Sequence, residues 1–239
     1  MGFLEDILDK PAPAGAKPMS RQFIANVFSY MFSALAITGV TAWYFSNDLG
    51  LMTMLIGETG FTTLGYVVMF APLAIVFAMQ MAVHRLSVPV LLLMFIGYSV
   101  LLGMSLSFIF LVYSLGSIAT VFGVTAITFG VMAILGYTTK QDLSSFGRIL
   151  YMAFIGIFVA AIVNMFLGSS TLDYIISMIG VLVFTGLTAY KMQELKYMSS
   201  NPELSGTDRS KLAIIGGLQL YILFINLFLS LLRLMGGRD

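Results

Sequence analysis

The chain has 239 residues, of which 59% are hydrophobic and 10% are charged, and its formal net charge is +1. Soluble domains carry about 25% charged residues, so this composition excludes most soluble enzymes and predicts a single membrane domain. The small net charge offers little attraction to nucleic acid, and we expect no nucleic-acid partner. The sequence contains no cysteine, which excludes disulfides, thiolate metal sites and cysteine nucleophiles.

Residues 1–20 are predicted to form a short cytoplasmic arm ahead of the membrane domain. Three acidic residues stand among the first nine, where a secretory signal would be basic, so we expect no such signal. The arm is either an amphipathic helix at the membrane interface or a frayed chain end, and the sequence leaves both open. The helical interpretation rests on four apolar residues that would share one face: Phe3, Leu4, Ile7 and Leu8.

Seven transmembrane helices are predicted from six stretches that contain no Asp, Glu, Lys or Arg. A bilayer core about 30 Å thick requires roughly 20 apolar residues per helix. Five stretches hold one helix each, and the longest, residues 86–139, holds two. The predicted fold class is an all-α membrane protein, a seven-helix bundle whose transmembrane domain occupies residues 21–239 within the lipid bilayer. The helices are placed at about 22–45, 63–83, 88–113, 117–138, 147–168, 172–197 and 211–235.

The distribution of basic residues predicts that the N-terminus is cytoplasmic. In that orientation only Arg233 and Arg238 fall on the far side of the membrane, and the C-terminus lies outside the cytoplasm. The cytoplasmic side then collects Lys10, Lys17, Arg21, Arg85, Lys140, Arg148, Lys191, Lys196, Arg209 and Lys211.

Small residues recur at four-residue spacing in several of the predicted helices. Such spacing lets helix backbones approach closely in lipid, and we expect it to mark packed faces within one bundle. The third helix carries Ser99, Gly103 and Ser107, and later helices carry Ala119 with Gly123, Ala126 with Gly130, and Gly156 with Ala160.

Strongly polar side chains inside the predicted spans are the candidates for a functional site. For each Asn or Gln the more frequent role is a hydrogen bond between helices. Seven residues qualify, none of them acidic: Asn26, Gln80, Asn164, Lys191, Gln193, Gln219 and Asn226.

Lys191 is the most informative of these residues, because it lies near the predicted cytoplasmic end of the sixth helix. Glu194 follows three residues later and can pair with it. From residue chemistry alone we favour a lysine that snorkels to the membrane edge. The alternative is a fixed positive charge at the mouth of a central cavity. A retinal-linking lysine would require a carboxylate counter-ion inside the membrane, and no span offers one.

Enzyme classes find little support in the sequence. The single histidine, His84, stands beside Arg85 in a predicted loop, whereas a metal site or a Ser–His pair would need it inside the bundle. The sequence contains no phosphate-binding glycine loop, and no acid–base or nucleophile set converges. We therefore expect no enzymatic activity, no metal site and no cofactor.

The second half of the chain carries a series of segments whose order and spacing are specific when taken together. They are Phe110–Tyr113, Gly136–Leu143, Phe146–Arg148, Gly186–Tyr190 with Gln193, Leu220–Tyr221, Phe224–Phe228 and Leu231–Arg233. In these segments the chain resembles the Bax inhibitor family, also called transmembrane Bax-inhibitor-motif proteins, and most closely its bacterial branch. The first 87 residues fit that family by their span pattern.

The resemblance implies seven helices with the seventh near the centre, wrapped by the other six. It also implies an activity, since bacterial relatives are regarded as pH-sensitive calcium leak pathways. Some bacterial relatives bind and modulate a membrane-bound protease. We therefore expect an inner-membrane protein of a bacterium, with calcium or another ion and a second membrane protein as candidate partners.

The chain departs from the family at two positions. Relatives carry Ala-Tyr-Asp-Thr-Gln at the end of helix six and Tyr-Leu-Asp-Phe-Ile-Asn in helix seven, and the two aspartates are thought to share a proton and gate the pore. Lys191 and Leu223 occupy these positions here. The candidate pore or gate positions are Lys191, Gln193, Gln219, Leu223 and Asn226.

The loss of both carboxylates bears directly on function. Two close carboxylates cannot both ionise freely, so such a pair responds to pH, and carboxylates are prominent calcium ligands. Lysine and leucine provide neither property. We expect a family-type calcium leak without the dicarboxylate pH switch, and the alternative is a non-conducting adaptor that modulates another membrane protein.

Overall fold

The computed structural model of this protein describes residues 21–57, 60–199 and 205–237. Within them, seven helices are long and apolar enough to cross a membrane. The predicted fold class, an all-α membrane protein with seven transmembrane helices, is therefore confirmed. The predicted N-terminal arm, residues 1–20, lies outside the described residues.

The predicted and observed helices agree to within a few residues at most ends. The elements are α1 (Arg21–Asn47), α2 (Leu49–Leu55), β1 (Ile56–Gly57), β2 (Gly60–Phe61), α3 (Thr63–Ala82), α4 (Val88–Leu106), α5 (Ile109–Val112), α6 (Leu115–Thr138), α7 (Ser144–Leu167), α8 (Ser170–Ser199) and α9 (Gly206–Met235).

Two local features were not predicted. The first connection contains the short helix α2, and Asp48 caps it by accepting a hydrogen bond from the Leu51 backbone N–H. The strands β1 and β2, of two residues each, then pair in antiparallel fashion. The third span is interrupted between α4 and α5, where the Ser107 hydroxyl donates to the Met104 carbonyl at 2.6 Å. A serine that bonds to its own helix backbone competes with the helical hydrogen bonds, so this bond is compatible with the break.

The helices group into two compact units that divide α9 between them. The first unit contains α1 to α5 and the part of α9 up to residue 221, and the second contains α6 to α8 and the part of α9 from residue 222. In α9, 78% of an apolar 18-residue stretch is buried, against 6–44% of the corresponding stretches in the other six spans. This burial agrees with the predicted central position of the last helix.

In the first unit, α1 and α3 both pack against α4. Tyr221, on the first part of α9, is completely buried, and its hydroxyl lies 2.5 Å from the Thr38 hydroxyl of α1. Thr38 in turn donates its only hydroxyl proton to the Ser99 carbonyl of α4 at 2.9 Å. Tyr221 is therefore the donor to Thr38, and one chain of hydrogen bonds joins three helices.

In the second unit, glycines set the distances between helices. A Cβ on Gly136 of α6 would collide with the Ala189 backbone of α8, and a Cβ on Gly147 of α7 would enter the Tyr190 ring. Farther along, Gly180 of α8 faces Ser230 of α9. Backbones can approach this closely only where a side chain is missing, so these glycines fix the position of α8 among its neighbours.

The packed face predicted from small residues is confirmed on α4, whereas the prediction is wrong for the three pairs on α6 and α7. Ser99 and Ser107 are completely buried, and a Cβ on Gly103 would meet Thr38 and Thr41 of α1. By contrast, Gly123, Gly130 and Gly156 have open space where a Cβ would stand. Four-residue spacing alone does not tell which face of a helix is packed, since small residues also occur on faces that meet lipid.

We predict that Gly136→Ala destabilises the protein, whereas Gly130→Ala on the same helix does not. The first substitution forces a methyl group into the Ala189 backbone and should cost about 1–3 kcal/mol or more, as overpacking does. The second places the methyl group in open space and should be neutral or slightly stabilising, because alanine favours helix more than glycine does. Thermal unfolding in detergent measures both, and equal melting temperatures for the two variants would contradict the packing described.

We also predict that Tyr221→Phe lowers the stability of the first unit by about 0.6 kcal/mol, with roughly 1.7 kcal/mol as the upper end for an interhelical hydrogen bond in a membrane protein. The substitution removes the hydroxyl that donates to Thr38 and keeps the ring. Tyr44→Phe is the matched control, because the Tyr44 side chain is 57% exposed. Unfolding in detergent should separate the two variants; a Tyr221 variant as stable as the control would show that the bond contributes nothing.

Candidate functional site

The candidate site is built around Lys191, two turns before the end of α8. The segment Ala189–Glu194 stays helical, so Lys191 and Glu194 lie on the same side of α8, three residues apart. The neighbouring helix α7 has Gly147 opposite the Tyr190 ring, and this missing side chain lets the ring lie against the α7 backbone. Tyr151, one turn further along α7, packs edge-on against Tyr190 with ring centroids 5.9 Å apart.

Lys191 is buried, with 5% of its surface exposed, and its ammonium forms an ion pair with the Glu194 carboxylate. The ammonium also lies 5.5 Å from the centre of the Tyr151 ring and 5.9 Å from that of Tyr190. The prediction that Lys191 snorkels to the membrane edge is therefore wrong. A lysine with a carboxylate one turn away and two ring faces beside it is compensated in place and need not reach for water.

The burial of Glu194 was not predicted from the sequence. This residue is only 8% exposed, so a carboxylate does stand inside a predicted span, contrary to the expectation that no span offers one. The available signal was its three-residue spacing from Lys191, which indicated pairing but not burial. Tyr151 was also missed, because its closeness to Lys191 depends on the packing of α7 against α8.

Gln193 is almost fully buried and holds the connection between α6 and α7. Its side-chain oxygen accepts from the Leu143 backbone N–H at 2.8 Å, and its amide nitrogen donates to the Gln141 carbonyl at 2.7 Å. Both polar atoms of the amide are thereby used on the backbone of one loop. The helix-to-helix hydrogen bond expected for Asn and Gln is therefore not made by Gln193, whose bonds join α8 to the loop before α7.

At the same end of the second unit, two further side chains bond to the backbone at or next to helix ends. Lys196 donates to the Tyr137 carbonyl at 2.7 Å, in the last turn of α6, where a cation is favoured by the helix dipole. Asp142 accepts from the Ser144 backbone N–H at the start of α7. Hydrogen bonds from Ser144, assisted by the charge of Arg148, hold the pKa of Asp142 below its usual value. Asp142 therefore stays ionised, and the cap stays formed, throughout the neutral pH range.

The other three candidate positions all lie on α9. Leu223 is buried, with 9% of its surface exposed, and belongs to the second unit. Asn226, half-buried, donates its amide to the Ile222 carbonyl of its own helix at 2.8 Å, so the expected bond between helices is not made there. Gln219 is half-buried and belongs to the part of α9 in the first unit.

Polar contacts do not join the three polar candidates of the second unit to one another. Within residues 113–198 and 222–237, the hydrogen bonds and ion pairs given above for Lys191, Gln193 and Asn226 go to other partners. Lys191 pairs with Glu194, Gln193 with the loop backbone and Asn226 with its own helix. Each of these polar groups is neutralised locally.

Two of the remaining polar candidates take local roles. Asn26 accepts from the Gln22 side chain at 3.2 Å, and Asn164 accepts from the Ser169 backbone N–H at 3.0 Å where α7 ends. His84 is exposed in the connection after α3, as predicted. The carbonyls of Val83 and His84 accept from Lys211, on the first part of α9.

The chemistry available at the Lys191 site is that of one compensated charge pair. In the part of the chain that the structure describes, no group of three or more His, Cys, Asp or Glu side chains is placed to hold a metal ion. Glu194 is a single carboxylate, and its charge is already matched by Lys191. The site can therefore stabilise the packing of helices, but it lacks the two neighbouring acids that would be needed to share a proton.

Comparison with known proteins agrees with this architecture. The family model "Inhibitor of apoptosis-promoting Bax1" matches residues 20–239. The inner membrane protein YbhL of Escherichia coli K12 is 44% identical over 217 residues, which cover 90% of this chain and 92% of that protein. An uncharacterized protein of Deinococcus radiodurans is 40% identical, with 92% of each chain covered, and an uncharacterized membrane protein of Streptococcus pyogenes serotype M1 is 32% identical, with 91% of this chain and 93% of that protein covered.

The family match extends over the membrane-spanning region and includes residues 20–87, which had fitted the family by span pattern only. Seven apolar helices and relatives named as membrane proteins make this an integral membrane protein. The family model and these relatives together show that the chain belongs to the Bax inhibitor family.

Proposed function

We propose that this protein is a calcium leak pathway of the Bax inhibitor type in which an ion pair stands in place of the shared-proton gate. The observation that carries the proposal is the buried pair of Lys191 and Glu194. According to the family resemblance, Lys191 occupies the position of the first of two aspartates. We propose no catalytic role for it.

The pair changes how pH would act on conduction. Two neighbouring acids can share a proton and so respond to pH, whereas Lys191 and Leu223 supply no acid at either position. With Leu223 at the second position, the two sites have no proton to share. Opening would therefore depend on something other than protonation of this couple.

The pair also bears on how a cation would pass. An isolated lysine in the interior would repel a divalent cation strongly. Glu194 offsets that charge one turn away, so the combined field is that of a dipole. A dipole is a much smaller obstacle to calcium than a full positive charge, which keeps a leak compatible with Lys191.

We predict that calcium entry into liposomes containing the purified protein varies little from pH 6 to pH 8. A dye trapped inside the liposomes reports the rate at each pH, and empty liposomes give the background. A steep and reversible activation within this range would refute the absence of a proton switch.

Restoring the acids should restore the switch if the helix geometry is that of the relatives. The test variant combines Lys191→Asp, Leu223→Asp and Glu194→Gln, because Glu194 would otherwise remain as a third, unpaired carboxylate. The matched control combines Lys191→Asn, Leu223→Asn and Glu194→Gln, which have similar size and polarity but cannot ionise. Only the aspartate variant should become pH-dependent.

The second candidate function is that of a non-conducting adaptor for another membrane protein, such as a membrane protease. It is favoured by the hydrogen bonds that Gln193 and Asn226 make to nearby backbone, since side chains bonded in this way are typical of a structural interior. The liposome experiment distinguishes the two functions. Calcium entry with the pure protein supports the leak, whereas its absence at every pH, with a stoichiometric partner retained in mild detergent, supports the adaptor.

We further propose that the chain lies in a bacterial inner membrane with its N-terminus in the cytoplasm, as the basic residues favour. The native sequence has no cysteine, so single cysteines report topology without background. Ser145→Cys, near the start of α7, should resist an impermeant maleimide added to spheroplasts, and Asn47→Cys, at the end of α1, should react. Reaction of Ser145→Cys in intact spheroplasts would reverse the proposed orientation.

A further inference from the structure

A polar basin lies where α7 ends and α8 begins, at the end of the second unit opposite to Lys191. It has a volume of about 430 Å³, within the range of roughly 300–1,000 Å³ typical of small-molecule sites. Its lining comprises Asn164, Ser169, Ser170, Asp173, Tyr174 and Arg233. We call it the Asp173–Arg233 basin.

The basin presents one positive and one negative group side by side. The Arg233 guanidinium lies 3.7 Å from the Asp173 carboxylate, which is too far for a direct hydrogen bond. The two side chains remain 40% and 36% exposed. Both charged groups therefore keep most of their hydrogen-bonding capacity for a ligand that carries the opposite pair of charges.

The surroundings of the basin are apolar. Phe166 and Leu167, the last residues of α7, are 81% and 66% exposed, and Tyr174 on the basin wall is 55% exposed. A tyrosine with an exposed ring beside a polar site is typical of the boundary between lipid tails and headgroups. A ligand bound here would have its polar part in the basin and could extend a hydrocarbon chain over Phe166 and Leu167.

We propose that the Asp173–Arg233 basin binds the headgroup of a zwitterionic phospholipid with a primary amine, that is, a phosphatidylethanolamine. The phosphate oxygens would accept from the Arg233 guanidinium, which suits phosphate geometry. The ammonium would donate to the Asp173 carboxylate. A choline headgroup has no N–H to donate, and a glycerol headgroup has no positive charge, so both should bind more weakly.

The test uses the full-length protein, stripped of lipid in detergent and titrated with phosphatidylethanolamine, phosphatidylcholine or phosphatidylglycerol of equal chain length, with bound lipid counted by native mass spectrometry. The ethanolamine lipid should bind about tenfold more tightly than the other two. This ratio corresponds to one charge-assisted hydrogen bond or ion pair gained. Equal affinity for all three lipids would overturn the proposal.

Two substitutions separate the contributions of the charges. Arg233→Gln should weaken the binding of all three lipids about tenfold, because each has a phosphate, and Arg233→Lys should retain most of the affinity. Asp173→Asn should abolish the preference for ethanolamine and improve the binding of phosphatidylglycerol. Arg148→Gln, an exposed cation outside the basin, is the control and should change nothing. If the basin variants behave like this control, the lipid binds elsewhere and the assignment is wrong.

A final arm distinguishes the lipid from a soluble compound with the same headgroup chemistry. Free phosphoethanolamine should compete only weakly, because it cannot cover the exposed side chains of Phe166 and Leu167. Competition as strong as that of the lipid itself would overturn the lipid and identify a soluble amine phosphate as the occupant.

Discussion

The ion pair between Lys191 and Glu194 is the interaction on which the packing around the end of α8 depends, because it lets a charged residue occupy the interior of an apolar molecule. Burying one isolated charge costs several kcal/mol even after the surroundings relax. The cost is offset here by a carboxylate one turn away and by two tyrosine rings. The rings, in turn, can approach only because Gly147 has no side chain.

Two other buried polar residues also obtain their partners from distant parts of the chain. A polar atom in lipid or in a packed interior must find a partner within the protein. Tyr221 finds one in Thr38, and Gln193 finds two on the backbone of the loop before α7. In both cases the hydrogen bond also joins separate parts of the chain. These polar residues therefore stabilise the contact between elements that are distant in the sequence.

The sequence predicted the helices well and the site only in part. Charge-free stretches report membrane spans directly, since charge is what the bilayer excludes, and all seven spans were found. Side-chain direction is not encoded in that signal. Glu194 was recognised as a partner for Lys191, but its burial was not, because burial depends on α7 and its tyrosine. The outward-facing glycines Gly123 and Gly130 show the same limit, since spacing along a helix does not identify the packed face.

The position of the ion pair within a single helix has a mechanical consequence. According to the family resemblance, the acids of relatives stand on two different helices, so a change in their protonation alters the force between those helices. Lys191 and Glu194 both belong to α8, and their attraction acts along that helix without drawing it toward another. A charge pair of this kind stabilises α8 but cannot sense the position of α9. Movement of α8 would be controlled by the groups that link it to its neighbours, chiefly Gln193 on the loop before α7 and Lys196 on the end of α6.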